Sequence, residues 1–189
     1  MKPKKLAKKI SGREQKLVTQ HEKLAKLKRK LPREQVEDYQ FKTPAGPVKL
    51  SALFGKQKDL IVIHNMGAAC RYCTMWADGF NGVYPHLANR AAFVVASPDA
   101  PAAQQKFAKS RGWRFPLVSV RDSKFTKQLG FHKKDDAWWP GVSTFQKKGG
   151  KIYHIASANF GPFDPFCAVW HLFALLADGV NGWEAQYKY

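Results

Sequence analysis

Cys70 and Cys73 are separated by two residues, Arg71 and Tyr72, and follow closely on an apolar run. Two thiols at this spacing do dithiol–disulfide chemistry when they stand in the first turn of a helix that follows a buried strand. Such a turn brings both sulfurs within bonding reach. The first sulfur also meets the unpaired N–H groups and the positive end of the helix, a field that favours thiolate over thiol. Cys70 is therefore the expected nucleophile, and Cys73 the thiol that resolves the mixed disulfide. Arg71 adds positive charge beside them. The substrates implied are disulfide-bearing proteins, small thiol compounds or peroxides, and the chemistry calls for no cofactor and no metal.

A dithiol of this kind needs a strand that ends beside it and a helix that begins at it. Residues 59–66 form a continuous apolar run, as expected of a central strand covered on both faces. A helix is expected from Cys70 to about Ala77, broken by Gly79 and Gly82 before a second helical piece over 83–90. A second buried strand is expected over 92–97, then a helix over 101–111 closed by Gly112, then a third strand over 117–120. Upstream, segments 39–43 and 48–50 flank Pro44-Ala-Gly-Pro47 and read as a hairpin. Downstream, strands at 141–146 and 151–155 are joined by Lys148-Gly-Gly150, and a last apolar helix is expected over 166–177. The stretch 133–139 is expected to be an exposed loop. This order predicts an α/β layered chain, a central mixed sheet flanked by helices, and neither a helix bundle nor a sandwich.

The 189 residues carry 32 Lys+Arg against 14 Asp+Glu, a formal charge of +18. Residues 1–33 hold 13 of those cations and only Glu14 and Glu22, so this arm alone carries +11. Ile10, Leu17, Leu24 and Leu31 recur every seven residues with Leu6 and Leu27 beside them, which predicts a helix capped at Ser11 and stopped by Pro32. The division expected is a basic helical arm over 1–33 and an α/β domain over 34–189, the part that the family resemblance given below makes thioredoxin-like. The apolar stripe suits packing across the body or against a second copy, a homodimer through the N-terminal helix. Arg13 and Gln20 interrupt its second row, against a lasting coiled coil. The lysines would also hold nucleic acid non-specifically at low salt, although the arm has no aromatic residue for stacking bases.

The longest apolar run, 167–177, has 11 residues and contains His171, too short for a membrane span of roughly 18 or more. The first residues lead into no apolar segment, so no secretory signal is expected. Three cysteines, an odd number, argue against a disulfide-stapled secreted fold. A cytoplasmic location is expected.

From Gly67 the chain continues Ala-Ala, then Cys70-Arg-Tyr-Cys-Thr-Met-Trp-Ala-Asp-Gly-Phe-Asn-Gly82, and later Pro85-His86-Leu87. Together with Gly112-Trp-Arg-Phe-Pro116, Pro140-Gly-Val-Ser-Thr-Phe145 and the preceding basic helix, this resembles a thioredoxin-like bacterial family catalogued as domain of unknown function 899, over roughly residues 10–177. The resemblance implies a thioredoxin fold and redox activity. Ser119-Val-Arg-Asp-Ser-Lys-Phe125 departs from the family in being more basic. In thioredoxin-like folds a cis-proline before the hairpin strand lies beside the cysteines and helps present the partner's backbone. That assigns the role to Pro140 through a cis Trp139–Pro140 bond, with an ordinary trans turn proline as the alternative. His64 stands six residues before Cys70, where thioredoxins place an acidic residue that moves a proton for the second cysteine. It is given the same role, with a packed core histidine as the alternative. Arg71, Tyr72, Trp76 and Trp139 are the expected substrate contacts, although the Trp76-to-Phe80 run also suits a structural part in the helix.

Three rivals share these residues. A thiol peroxidase would oxidise Cys70 to a sulfenate that Cys73 resolves. Peroxiredoxins carry a proline and a threonine shortly before that cysteine, and residues 65–69 hold neither. A zinc site could in principle join Cys70 and Cys73 to Cys167 and His171, but the second pair lies far along the chain in an apolar helix, where Cys167 also suits a small buried hydrophobe. A non-catalytic interaction module on the same fold is the third. His86 and His154 are expected to be structural.

Overall fold

The computed structural model describes residues 2–133 and 137–189; residues 134–136, within the stretch expected as a loop, lie outside the described residues. In chain order the elements are α1 (Pro3–Lys28), β1 (Glu34–Val36), β2 (Gln40–Thr43), β3 (Gly46–Lys49), α2 (Leu50–Leu53), β4 (Asp59–His64), α3 (Arg71–Arg90), β5 (Ala92–Ser97), α4 (Pro101–Arg111), β6 (Leu117–Ser119), α5 (Phe125–Gln128), β7 (Gly141–Lys148), β8 (Lys151–Asn159) and α6 (Ala168–Phe173). The strands form one sheet in the order β1-β8-β7-β4-β5-β6-β2-β3. β4, β5 and β6 run parallel, and β7 pairs antiparallel with β4. This is a thioredoxin-like fold, a mixed sheet with flanking helices.

Alternation along the central strands divides the core in two. Leu60 and Val62 of β4 and Val94 and Ala96 of β5 pack with Phe41, Phe54, Phe125 and Phe145 on one face. Ile61, Ile63, Phe93 and Val95 face the other way, onto Trp76, Ala77 and Phe80 of α3 and Trp170 of α6. Strands buried on both faces read as unbroken apolar runs, which is why β4 and β5 stand out in the sequence.

α3 is a single helix of 20 residues, where a break at Gly79 and Gly82 was expected. Neither glycine takes a positive φ. A helical glycine costs about 1 kcal/mol relative to alanine. Trp76, Ala77, Phe80, Tyr84 and Leu87, three or four residues apart, all pack against the sheet and outweigh that cost. Asp78 also ties the helix to the segment after α4, accepting from Trp113 Nε1 at 2.7 Å and from the Arg111 guanidinium.

Two ends differ from expectation. α1 starts at Pro3, a residue suited to a first helical turn, rather than at Ser11, and ends at Lys28. α6 spans only Ala168–Phe173, because Leu172, Leu175 and Leu176 stay exposed and no packing carries the helix further. The short β1, α2 and α5 carry too few residues for a periodic signal. Among the described residues no helix is long and apolar enough to cross a membrane.

Candidate active site

The chain leaves β4 at its C-terminal end and must turn sharply to start α3. The Asn65 N–H extends the pairing with β5, donating to the Ala96 carbonyl at 2.9 Å. Its side chain then organises the turn: Oδ1 accepts from the Gly67 N–H at 2.8 Å and Nδ2 donates to the Cys73 carbonyl at 3.3 Å. Gly67 has φ of +103°, a conformation that favours glycine, and a Cβ there would stand 3.0 Å from the Asp99 carboxylate, which would have to shift to admit it. Asp99 in turn accepts from the Ala68 N–H at 2.8 Å. A loop held from both sides delivers Cys70 to the N-cap of α3.

There the Cys70 Sγ accepts the backbone N–H of Cys73 at 3.1 Å, the bond that a serine or aspartate cap would make. The Cys70 thiol is lowered to about 7, first by a hydrogen bond from the Cys73 side chain and further by the backbone N–H groups of Cys73 and Tyr72, against an opposing effect of burial. Cys73 is only 2 % exposed. Its thiol is pushed far up, first by its hydrogen bond to Cys70 and then by burial and the nearby Cys70 charge. From about pH 7 upward the pair thus favours a thiolate at Cys70 beside a buried, protonated Cys73. All three cysteines are free thiols.

The remaining predicted site residues divide. Arg71 lies in the first turn and pairs with Glu184 at 2.8 Å, and Tyr72 stacks on Trp170 at 5.9 Å between ring centres. Trp76 is buried, its Nε1 donating to Asp164 at 3.0 Å and its ring stacked on Phe160, so it belongs to the core rather than to a substrate surface. His64 shares the face of Leu60 and Val62, the side of the sheet away from α3. Its Nε2 is 2.8 Å from the Ser143 hydroxyl and its ring stacks on Phe131 at 3.8 Å. It is the packed core histidine of the alternative reading, with its basicity lowered to about 3 by burial and then by His154. Gly141 is paired with His64, which puts Trp139 and Pro140 just beyond the C-terminal end of β4. The Trp139–Pro140 bond is trans, the turn proline of the alternative reading. The Pro140 carbonyl there accepts from the Phe160 N–H at 2.9 Å and continues the β7–β8 ladder. Trp139 is exposed, with Lys133 Nζ 3.9 Å above its ring.

Cys167 caps α6 inside the second apolar cluster, and His171 is 3.0 Å from the Asp164 carbonyl. Among the described residues no three His, Cys, Asp or Glu side chains are grouped to hold a metal ion. His154 closes a buried chain of hydrogen bonds with Ser157, Ser143 and His64, each link 2.8 Å.

Sequence reading missed three contributors. Asn65 was legible from alternation, being the first residue after β4 to face α3. Asp99 follows β5, the parallel neighbour of β4, so both loops emerge at one end of the sheet. The C-terminal segment carried no signal. Besides the Glu184 contact, Arg111 Nη1 donates to the Tyr187 carbonyl at 2.6 Å and Tyr187 packs edge-on against Phe107. The Glu184 contact with Arg71 brings this segment next to Cys70, and burial, then the charge on Cys70, raise the Tyr187 hydroxyl.

A search of curated proteins finds no match. Among solved structures the chain is similar to a peroxidoxin of Mycobacterium tuberculosis, with TM-score 0.55 and 24 % identity over 67 % of this chain and 84 % of that one. It is also similar to a cysteine-to-serine mutant of peroxiredoxin Q from Xanthomonas campestris, with TM-score 0.53 and 18 % identity over 64 % and 79 %. A peroxiredoxin-like protein from Aquifex aeolicus gives TM-score 0.53 and 14 % identity over 67 % and 74 %. At these identities the likeness is one of fold. A family model for bacterial proteins of unknown function, DUF899, matches residues 4–189, nearly the whole length, and the chain belongs to that family.

Proposed function

We propose that the protein is a thiol–disulfide oxidoreductase working through Cys70 and Cys73. The observation that carries this reading is the N-cap position of Cys70, whose sulfur accepts the Cys73 N–H and is lowered to about 7. The Cys70 thiolate attacks one sulfur of a substrate disulfide, forming a mixed disulfide and releasing the other sulfur as a thiolate. Cys73 then gives its proton to the solvent or to the departing thiolate and attacks the Cys70 sulfur. The second substrate thiolate leaves, and a Cys70–Cys73 disulfide remains for an external dithiol to reduce. Arg71 and Tyr72 flank the attacking sulfur, and Trp139 and Pro140 stand at the same end of the sheet, where a partner's backbone would pass. A reducing compartment such as the cytoplasm keeps both thiols available.

The test is insulin reduction with dithiothreitol as electron source. Wild type should accelerate it, Cys70→Ser should abolish the acceleration, and Cys73→Ser should accumulate a mixed disulfide. Wild type no faster than dithiothreitol alone sinks the reading.

A thiol peroxidase is the second reading, favoured by the likeness of fold to peroxidoxin and peroxiredoxin structures. There the Cys70 thiolate attacks a hydroperoxide, an alcohol or water leaves, and the resulting sulfenic acid is displaced by Cys73 as water and a disulfide. Dithiothreitol-dependent consumption of hydrogen peroxide without insulin reduction selects it.

A further inference from the structure

Two of the apolar surfaces left open among the described residues complement each other. The first is a stripe on α1. At 100° per residue, Leu6, Ile10, Leu17 and Leu24 fall within about 40° of one another. Lys8 and Lys26 point directly away from it and Lys5 and Lys23 lie about 120° round from its centre, while Arg13 interrupts the stripe itself. The four stripe residues are 43 to 61 % exposed, and no residue of this 26-residue helix is buried. In proteins such a helix draws most of its stability from packing an apolar face, and here nothing in the chain covers that face. The second surface is a groove on the α3 side of the sheet. It is floored by Ile61, Val142, Ala156 and Ala158, walled by Phe80 and Phe166, and open over about 310 Å³. The last residue of α1, Lys28, stands at its rim.

We propose that the protein is a two-fold dimer in which each α1 lays its leucine stripe into the groove of the other copy. Each surface is what the other lacks, and both occur once per chain, so a reciprocal exchange leaves neither open. Of α1 only Lys28 lines the groove of its own chain, which leaves that groove free for a second arm. The areas suffice. A groove of about 310 Å³ seats two or three of Leu6, Ile10, Leu17, Leu24 and Leu27, each losing on the order of 100 Å². Counting both arms and both grooves, the contact comes to roughly 1,000 Å², the least that a specific interface needs. Charge gives this contact a signature of its own. Each copy carries +18, so the dimer forms against repulsion and tightens as salt screens it. A basic arm seated on nucleic acid or on an anionic bilayer behaves in the opposite way.

Sedimentation velocity of the full chain, at 50 and 500 mM NaCl across protein concentration, tests this. A dimer at least several-fold tighter at the higher salt is expected. Leu17→Glu on the exposed stripe and Phe166→Lys on the exposed groove wall should each weaken it at least tenfold with an unchanged circular dichroism spectrum. Mixing the two variants should restore partial association, because the intact arm of one meets the intact groove of the other. A wild type monomeric under every condition overturns the proposal. A dimer lost with Leu17→Glu but indifferent to Phe166→Lys also overturns it, because the arms then pair with each other. So does association found only with phosphatidylglycerol vesicles or duplex DNA and dissolved by salt. None of these readouts depends on thiol activity.

Discussion

The N–H of Cys73 donates to the Sγ of Cys70 across 3.1 Å, so the residue that would resolve the disulfide also stabilises its nucleophile. The hydrogen bond from the Cys73 side chain is the largest cause of the lowered Cys70 thiol. Alkylation of reduced protein by iodoacetamide should therefore follow one thiolate with a midpoint near pH 7, against about 8.5 for a free cysteine. In Cys73→Ala the backbone N–H remains and the side-chain donor is lost, so the midpoint should rise towards the ordinary cysteine range. Cys73→Ser, which keeps a donor, should rise less. A Cys73→Ala midpoint identical to wild type would mean that the helix end alone sets the thiolate.

His64 makes a prediction about stability. Its ring is buried with Nδ1 lacking any partner, and its basicity is lowered to about 3, first by burial and then by His154. The unfolded chain binds a proton at this residue near pH 6.5, while the folded chain resists until about 3. Below pH 6.5 the unfolded state therefore holds more protons, and folding stability falls as the pH falls. The slope from this one group is at most about 1.4 kcal/mol per pH unit. Urea unfolding of wild type and His64→Asn between pH 6 and 4 should show a shallower decline in the variant. Parallel lines would contradict the buried, neutral assignment.

That same residue marks where sequence reasoning reached its limit. The apolar runs of β4 and β5, the dithiol at a helix start and the hairpin of β7 and β8 were all legible, because each is a local pattern. His64 was judged by its distance along the chain from Cys70, and such a distance says nothing about faces. In a strand one residue reverses the side. His64 follows Leu60 and Val62 onto the face away from α3, while Asn65 turns towards α3 and reaches the Cys73 carbonyl. The glycine break predicted in α3 failed for a related reason. Propensity is local, whereas the row from Trp76 to Leu87 gains its energy from a sheet distant in sequence. The approach of Glu184 and Tyr187 to the thiols is wholly tertiary and left no trace in spacing.

Gly141 tests the packing behind the site. A Cβ at this position would stand 2.2 Å from Cε1 of Phe131 and 2.5 Å from the Ala158 carbonyl oxygen. Phe131 is itself stacked on His64 and cannot withdraw without opening that contact. Gly141→Ala should therefore destabilise the fold by about 2 kcal/mol or more, an overpacking cost read from urea unfolding. Phe131→Leu in the same chain should recover part of it, whereas purely additive losses would place the strain elsewhere.

The pairing of Arg71 with Glu184 fastens the C-terminal segment beside the nucleophile, with the Arg111 bond to the Tyr187 carbonyl as a second tie. Both members of the first pair are largely open to solvent, at 43 % and 60 %, so the bond itself contributes less than about 1 kcal/mol to stability. Its consequence lies in access. With the segment in place, Cys70 should be reached by a small disulfide more readily than by a disulfide on a protein surface. Glu184→Gln should leave the urea midpoint almost unchanged and alter the rate with 5,5′-dithiobis(2-nitrobenzoic acid) by less than about twofold. The rate of insulin reduction should rise several-fold, because the loosened segment yields to a larger partner. Equal changes for the two substrates would instead trace the effect to the freed Arg71 charge acting on the Cys70 thiolate, and the segment would have no part in choosing substrates.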